Sequence, residues 1–365
     1  MKVKNLVKIL HQWADPSLQE SYDNSGLITG SPDADVSGVL ICLDSTEAVI
    51  DEAISYGANV VVAHHPIVFS GLKKITGRTY IERVIIKAIQ HDIAIIAIHT
   101  NLDNLPLSGV NSMIASKLCL EDTRVLRKGT YLLKKLKVYV PEQQVDQLKD
   151  ALFKAGAGSI GNYDECSFSY SGTGSFRGND QSDPYVGEKN KRHHEKEQCV
   201  EVIFPSFKAR SILSAMYQAH PYEEVAYDLI PLDNEVATIG SGLVGELSEE
   251  MELHDFLVHT KNVLQCKVIR YAGKERPIKK VALCGGSGSF LLSDAKRSGA
   301  DIFITADYKY HQFFDAENDI IIADVGHYES EQYTIQLIYD YLMQKNSNFA
   351  LYCTKINTNP VKYFI

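Results

Sequence analysis

An α/β fold of two similar halves, interrupted by a ferredoxin-like α+β insert, is what this 365-residue chain predicts. Three observations point to it. Short runs of β-branched and small apolar residues stop at polar motifs that carry histidine. One stretch of the N-terminal part recurs without a gap at an offset of 242 residues. Between the two copies the texture changes to a strand followed by a helix, twice over. The boundaries expected from this are residues 1–129 for the first half, 130–239 for the insert and 240–365 for the second half. The two halves would pack around one shared site.

Composition limits the alternatives. With 45% hydrophobic and 23% charged residues the chain has the make-up of an ordinary globular protein of two or three domains. A net charge of -9 offers no overall basic field for nucleic acid or an anionic membrane. Seven cysteines (42, 119, 166, 199, 266, 284 and 353) are scattered without a C-x-x-C pair, which argues against a thiolate zinc site and a disulfide scaffold. They suit small core hydrophobes in a reducing cytosol. The N-terminus lacks the apolar run of a signal peptide and no segment is long enough to span a bilayer, so the cytoplasm is the expected location.

Taken in order, residues 3–13 have helical spacing, with Val3, Leu6, Val7, Leu10 and Trp13 on one stripe, and Asp15-Pro16 ends it. Ser21 to Gly30 is a polar turn feeding a short strand. Residues 39–43 form the first core strand, and a helix spans about 46–56. Residues 58–62 form a second strand that meets His64, His65 and Pro66; the proline cannot donate to a ladder, so the chain turns there. Residues 93–98 repeat the pattern and end in His99-Thr100-Asn101-Leu102-Asp103. The repeat then places 39–66 on 281–308: Cys42 falls on Cys284, Ala53 on Ala295, and Gly57-Ala58 on Gly299-Ala300. Strand, helix and strand in this order give parallel pairs with right-handed crossovers. The last apolar run, 320–325, leads to Gly326-His327-Tyr328-Glu329-Ser330-Glu331, where His327 and Glu331 share a face if a helix begins at Gly326.

The insert reads as a strand near 137–141 followed by a helix, then a strand near 201–205 and another helix, a ferredoxin-like arrangement. Between them, 172–198 is a Gly-, Ser- and charge-rich excursion. His193-His194 lies there with no apolar strand to position it and is expected at the solvated surface.

Collected at three strand ends, His64, His65, Asp103, His327 and Glu331 offer nitrogen and oxygen donors only, which suits Zn, Fe(II), Mn or Co. Five ligands exceed what one four-coordinate catalytic ion uses, so two divalent ions bridged by Glu331 are expected, with a water between them activated for hydrolysis. His99 is either a ligand or a partner orienting Asp103. Asp307 and His311 follow the repeat's equivalent strand, should border the same cleft, and are candidates, with His99, for moving protons. A helix N-cap is the plain alternative for Asp307. Gly285-Gly286-Ser287-Gly288 is either an anion cradle or only a turn.

These motifs together resemble the GTP cyclohydrolase 1 type 2 homologues, a family of dinuclear metal proteins, over nearly the whole chain. Tyr22-Asp23-Asn24-Ser25-Gly26-Leu27 is similar to its W-D-N-x-G-L motif, with Tyr for the usual Trp. His64-His65-Pro66, His99 to Asp103, Gly109-Val110-Asn111, Cys284 to Gly288, Asp307 to His311 and Gly326 to Glu331 match its other motifs, although Ala306 stands where Gly usually precedes the Asp. The resemblance implies metal ligation by His64, His65, Asp103, His327 and Glu331. It also implies a PII- or CutA-like insert, in which His220-Pro221-Tyr222-Glu223-Glu224 is similar to that module, and a homohexamer built as a trimer of dimers. The function it implies is hydrolysis of a small-molecule substrate, a nucleotide or related N-heterocycle. The competing function is a metal-binding regulatory protein whose insert senses a ligand without turnover.

Overall fold

The computed structural model describes residues 1–105, 107–129, 133–345 and 349–364. They form two compact units, one of residues 1–128 and 238–365, the other of residues 129–237.

The first unit is α/β and contains two sheets. In one, the strand Gly38–Cys42 pairs in parallel with Val60–Ala63, which pairs in parallel with Ala94–Ala97; Gly26–Thr29 closes one edge in antiparallel fashion. In the other, Ile278–Ser287, Ile302–Ala306 and Ile321–Asp324 form the parallel core. Register repeats between them at the sequence offset: Val39 faces Val60, and Val281 faces Ile302.

Why these runs lack polar alternation is a matter of their two faces. Val39, Ile41, Val60, Val62 and Ile96 join one apolar cluster that also holds Val281, Leu283, Ile302, Ile304 and Ile321 from the second sheet. The alternate residues Leu40, Cys42, Val61, Ala63 and Ile95 pack into another cluster with Val49, Ile50, Val84 and Ala88 of the helices Glu47–Ser55 and Tyr80–Gln90. A strand buried on both sides reads as a continuous apolar run. Each aliphatic side chain so buried contributes about 1.5–3 kcal/mol, enough to hold the strand ends rigidly.

The sheets are not confined to their own stretches of chain. Ala350–Cys353 pairs in parallel with Gly38–Cys42 and so completes the N-terminal sheet. Glu121–Gly129 lies at the edge of the other sheet, beside Val236–Met251. Residues expected to belong to separate halves therefore exchange strands, which covers an otherwise open edge on each sheet.

The second unit has a four-stranded antiparallel sheet. In chain order its elements are the strand Leu133–Pro141, the helix Val145–Lys154, the strands Phe168–Phe176 and His193–Pro205, the helix Ala209–Ala219 and the strand Tyr227–Leu232. Across the sheet, Phe168–Phe176 is at one edge, followed by His193–Pro205, Leu133–Pro141 and Tyr227–Leu232. Leu136, Val138, Val200 and Val202 pack on Leu148, Leu152, Ile212 and Met216 of the helices. His193 and His194, expected in an unstructured excursion, begin a strand, paired with Phe176 and Ser175.

Candidate metal centre

The parallel strands deliver their histidines by extending the ladder past the last regular residue. The amides of His64 and His65 donate to the carbonyls of Cys42 and Leu43 at 3.1 and 2.9 Å, so both residues are still held as Pro66 turns the chain. Ile98 is tied likewise to the carbonyl of Ala63 at 2.9 Å, which brings His99 alongside. In the second sheet Val325 donates to Thr305 at 2.9 Å, and Gly326, at φ 94°, starts the short helix His327–Glu331. A Cβ on Gly326 would lie 2.3 Å from Glu329 Oε2, so only glycine fits this corner.

Four imidazoles are then fixed in one manner. The Nδ1–H of His64 donates to the Ile98 carbonyl at 2.8 Å, and that of His65 to Asp44 Oδ1 at 2.8 Å. His99 Nδ1–H donates to Asp23 Oδ1 and His327 Nδ1–H to Asp307 Oδ2, each at 2.7 Å. Tethering Nδ1 leaves Nε2 to face the centre and fixes the ring plane, the arrangement that orients histidine towards a metal. At that centre Glu331 Oε2 lies 2.9 Å from both His65 Nε2 and His327 Nε2. Glu331 Oε1 lies 4.0 Å from His64 Nε2, and Asp103 Oδ1 lies 3.6 Å from it.

The electrostatics are those of such a cluster without its ion. Burial holds His64 neutral, its pKa lowered to about 3 against the opposing pull of Glu331. Burial also opposes protonation of His65 and His327, but the carboxylates around them win and raise the two to about 10 and about 11. Glu331 is pushed the other way: burial raises it, and the His327 and His65 charges hold it well below the usual carboxylate range. Asp103 rises to about 7, chiefly through burial.

Among the described residues at this centre, two buried atoms have no hydrogen-bond partner, His64 Nε2 and Asp103 Oδ1. Orphaned buried polar atoms cost about 1–3 kcal/mol each unless something satisfies them. A divalent cation would satisfy both. The donors fall into three groups of three whose ligand atoms lie within 4.8 Å of one another: His64, His65 and His99; His65, His327 and Glu331; His64, Asp103 and Glu331. Glu331 is in two of them, one carboxylate oxygen towards each. The cluster can therefore hold a metal ion.

Comparison with known proteins agrees with the motifs. The profile of the Duf34/NIF3 (NGG1p interacting factor 3) family matches residues 1–360. The chain belongs to the DUF34/NIF3 family. Among its relatives, a GTP cyclohydrolase 1 type 2 homolog of Halalkalibacterium halodurans is 41% identical over 333 residues, 90% of this chain and 89% of that protein. The homolog of the same name from Bacillus subtilis is 36% identical over 99% of this chain and 98% of its own length. The crystal structure of a Bacillus cereus protein related to NIF3 superposes with a TM-score of 0.85 at 37% identity, covering 100% of this chain and 99% of that one.

Against this DUF34/NIF3 framework, the expected ligands His64, His65, Asp103, His327 and Glu331 come together, and His99 joins them. Asp307 lies beside them on His327. It has φ 59°, a left-handed conformation that Asp tolerates better than most residues, and the following turn is capped by Lys309. The N-cap alternative for Asp307 therefore does not hold. His311, expected at the cleft, is turned out by the 3-10 helix Tyr310–Ala316, where its ring is exposed against Tyr310 and Phe314.

The glycine loop is a close-approach turn. The amides of Gly285, Gly286 and Gly288 already donate to Asn111 Oδ1, Ser330 Oγ and Thr305 Oγ1, so they are committed away from an anion. Gly286, at φ 61°, lets the chain pass where a Cβ would sit 2.3 Å from Glu331 Oε1.

Two residues escaped sequence reasoning as participants, Asp23 and Asp44. Asp23 holds His99 and also accepts from the Thr100 amide at 3.0 Å; Asp44 holds His65 and accepts from Thr358 Oγ1 at 2.6 Å. The available signal for Asp44 was its place after the strand 39–43, level with the histidines of the next strand.

Proposed function

We propose that this protein is a metal-dependent hydrolase working with two divalent ions, Zn, Fe or Mn, on a nucleotide or related N-heterocycle. The single observation that carries this reading is the convergence of three Nδ1-tethered imidazoles, those of His64, His65 and His327, on a carboxylate whose two oxygens serve two ligand groups. His64, Asp103 and Glu331 Oε1 would hold one ion, and His65, His327 and Glu331 Oε2 the other. Ions bound there would supply an acidified water and polarise a substrate oxygen.

The remaining work falls to the chain itself. A cavity of about 440 Å³ opens on the cluster, bounded by Tyr22, Phe69, His99 and Asp103, a size suited to a small molecule. The rings of Tyr22 and Phe69, centroids 6.1 Å apart, give a flat heterocycle an aromatic wall. His99, braced by Asp23, lines that cavity and is placed to move a proton at its Nε2. A second cavity of about 660 Å³ on the other side of His65 and His327 is lined by Arg270, which is ion-paired with Asp324, and by Asp44, Asp307 and Glu329. The GTP cyclohydrolase name of the relatives is what points to a nucleotide.

The same reading takes the two sheets as two copies of one α/β half, supported by the repeated register, and takes the insert as ferredoxin-like, supported by its strand order. It places the chain in a cytoplasmic homohexamer, which sedimentation of the metal-loaded protein checks; a monomer would remove that part. Among the described residues no helix is long and apolar enough to cross a membrane.

The test is turnover of a nucleotide and N-heterocycle panel by metal-loaded protein beside His64→Ala. Hydrolysis by the parent and its loss in the variant are expected. Equal turnover in both, or none with any substrate, overturns the proposal.

A further inference from the structure

The second unit carries a cavity that the hydrolase reading does not use. It measures about 630 Å³ and lies on the sheet face opposite the helices. Its position follows from register: Tyr139 pairs with Cys199, and Cys199 with Tyr170, so these three side chains project to one side while Val138 and Val200 project to the other. Tyr139, Tyr170, Phe176, Tyr185 and Tyr222 supply its aromatic surface, and Glu197 its most enclosed charge. Tyr222 sits between two neighbours, with ring centroids 6.0 Å from Phe176 and 6.2 Å from Tyr185. The wall that bears Tyr185 is pinned, because the Asp183 amide donates to Glu223 Oε1 at 2.9 Å.

Glu197 is the informative residue. It is only 8% exposed, and its Oε1 accepts from the Tyr222 hydroxyl at 2.9 Å. Among the described residues its Oε2 has no hydrogen-bond partner, and it lies against Gly174, where a Cβ would come within 2.1 Å. That oxygen is open to the cavity, where a largely buried carboxylate favours a positive partner. Among the lining residues Glu223 and Glu224 join Glu197, with Arg177 as the basic one, while Lys137 stands beside Tyr139 and Tyr170. Aromatic faces carry the negative end of a quadrupole and attract cations, more strongly when water is excluded. The Lys137 ammonium already stands 5.5 Å from the Tyr139 centroid and 5.8 Å from that of Tyr170, so the faces left to a ligand are those of Phe176, Tyr185 and Tyr222.

We propose that this cavity binds a compact organic cation, an ammonium or amidinium group held between the tyrosine faces and the carboxylate of Glu197. The proposal does not rest on the metal centre. A neutral molecule of the same shape lacks the charge that Glu197 requires, and an anion meets three carboxylates.

The test is calorimetric titration of the full-length protein with choline and benzamidinium, each beside its neutral isostere, 3,3-dimethylbutanol and benzamide. At least one cation is expected to bind with a Kd below about 1 mM and its isostere about tenfold more weakly. Glu197→Gln, which keeps shape and removes charge, is expected to weaken the cation about tenfold while metal content stays at the parent level. Tyr185→Leu, on an exposed segment whose change spares the core, is expected to weaken it several-fold and provides the reading should the first variant misfold. Saturation by neither cation, an isostere that binds as tightly, or cation affinity unchanged in both variants overturns the proposal.

Discussion

Asp44 and Asp23 act on the cluster without facing its centre, and their effect differs in kind from that of Glu331. Removing a ligand removes a bond to the ion; removing the acceptor behind a ligand frees its ring to rotate and lowers its basicity. Glu331→Gln is therefore expected to abolish metal retention, read as metal per chain after gel filtration. Asp44→Asn is expected to lower metal affinity by about 10–100-fold and leave stoichiometry recoverable at high metal concentration. Identical behaviour of the two variants would refute the distinction. The protons give a second prediction at this scale. His65 and His327 carry raised values of about 10 and about 11, so the metal-free protein at neutral pH holds protons that an incoming ion must displace. Metal affinity should rise with pH across the neutral range, with proton release measurable from the buffer dependence of the binding heat. The stability of the metal-free protein should run the opposite way. A value raised above 6.5 gives stability that is fully present below 6.5 and is lost as pH rises through about 10. Melting of chelated protein should then fall from about pH 6.5 up to about 10 more steeply than that of metal-loaded protein, and level off above about 11. Parallel curves would contradict it.

At the scale of elements, the site depends on turns that let two chains pass closely. Gly286 combines a left-handed φ with a Cβ position 2.3 Å from Glu331 Oε1. Gly286→Ala adds backbone strain of about 1 kcal/mol or more and presses on the Glu331 carboxylate. A lowered Tm and lost metal are expected together, whereas Gly299→Ala, at φ 73° with open space around its Cβ position, should lower the Tm and keep the metal. Loss of metal in both would show that stability alone accounts for the effect. Such elements were unequally legible from sequence. The helix Val3–Trp13 and the buried strands announce themselves by periodicity and β-branching, because packing on one face or two leaves a pattern in the residues themselves. His327 and Glu331 were legible as a pair because helical spacing alone puts them on one side. Asp23 and Asp44 were not, since a carboxylate in a loop looks the same whether it faces water or an imidazole. Gly286 could be read as a turn but not as a close approach, which needs the position of Glu331. His311 fails for a related reason: a position after a strand does not say which way the next turn points.

For the whole molecule, the informative departure is the exchange of strands. The sequence repeat suggests two halves that each build a sheet from their own residues, yet Ala350–Cys353 runs beside Gly38–Cys42, with Leu351 opposite Val39 and Cys353 opposite Ile41. Nothing local announces this, because a four-residue strand has no marker for the sheet it joins. The contact reaches further along the tail: Thr354 N donates to the Ile41 carbonyl at 2.9 Å, Lys355 N to Glu52 Oε1 at 2.9 Å, and Thr358 to Asp44. The last residues thus brace the strand that pairs with the one carrying His64 and His65, and they hold the aspartate behind His65. Truncation after residue 345 removes that support and opens a sheet edge. At about 1 kcal/mol per hydrogen bond lost, together with newly exposed apolar surface, a destabilisation of several kcal/mol is expected. Metal affinity should fall with it, through the freed Asp44. Thr358→Val separates the two effects, because it removes only the hydroxyl on Asp44 and keeps the strand. That variant should melt near the parent and bind metal several-fold more weakly. If it binds metal as the parent does while the truncation loses metal, the tail supports the site through the sheet alone and its contact with Asp44 is incidental.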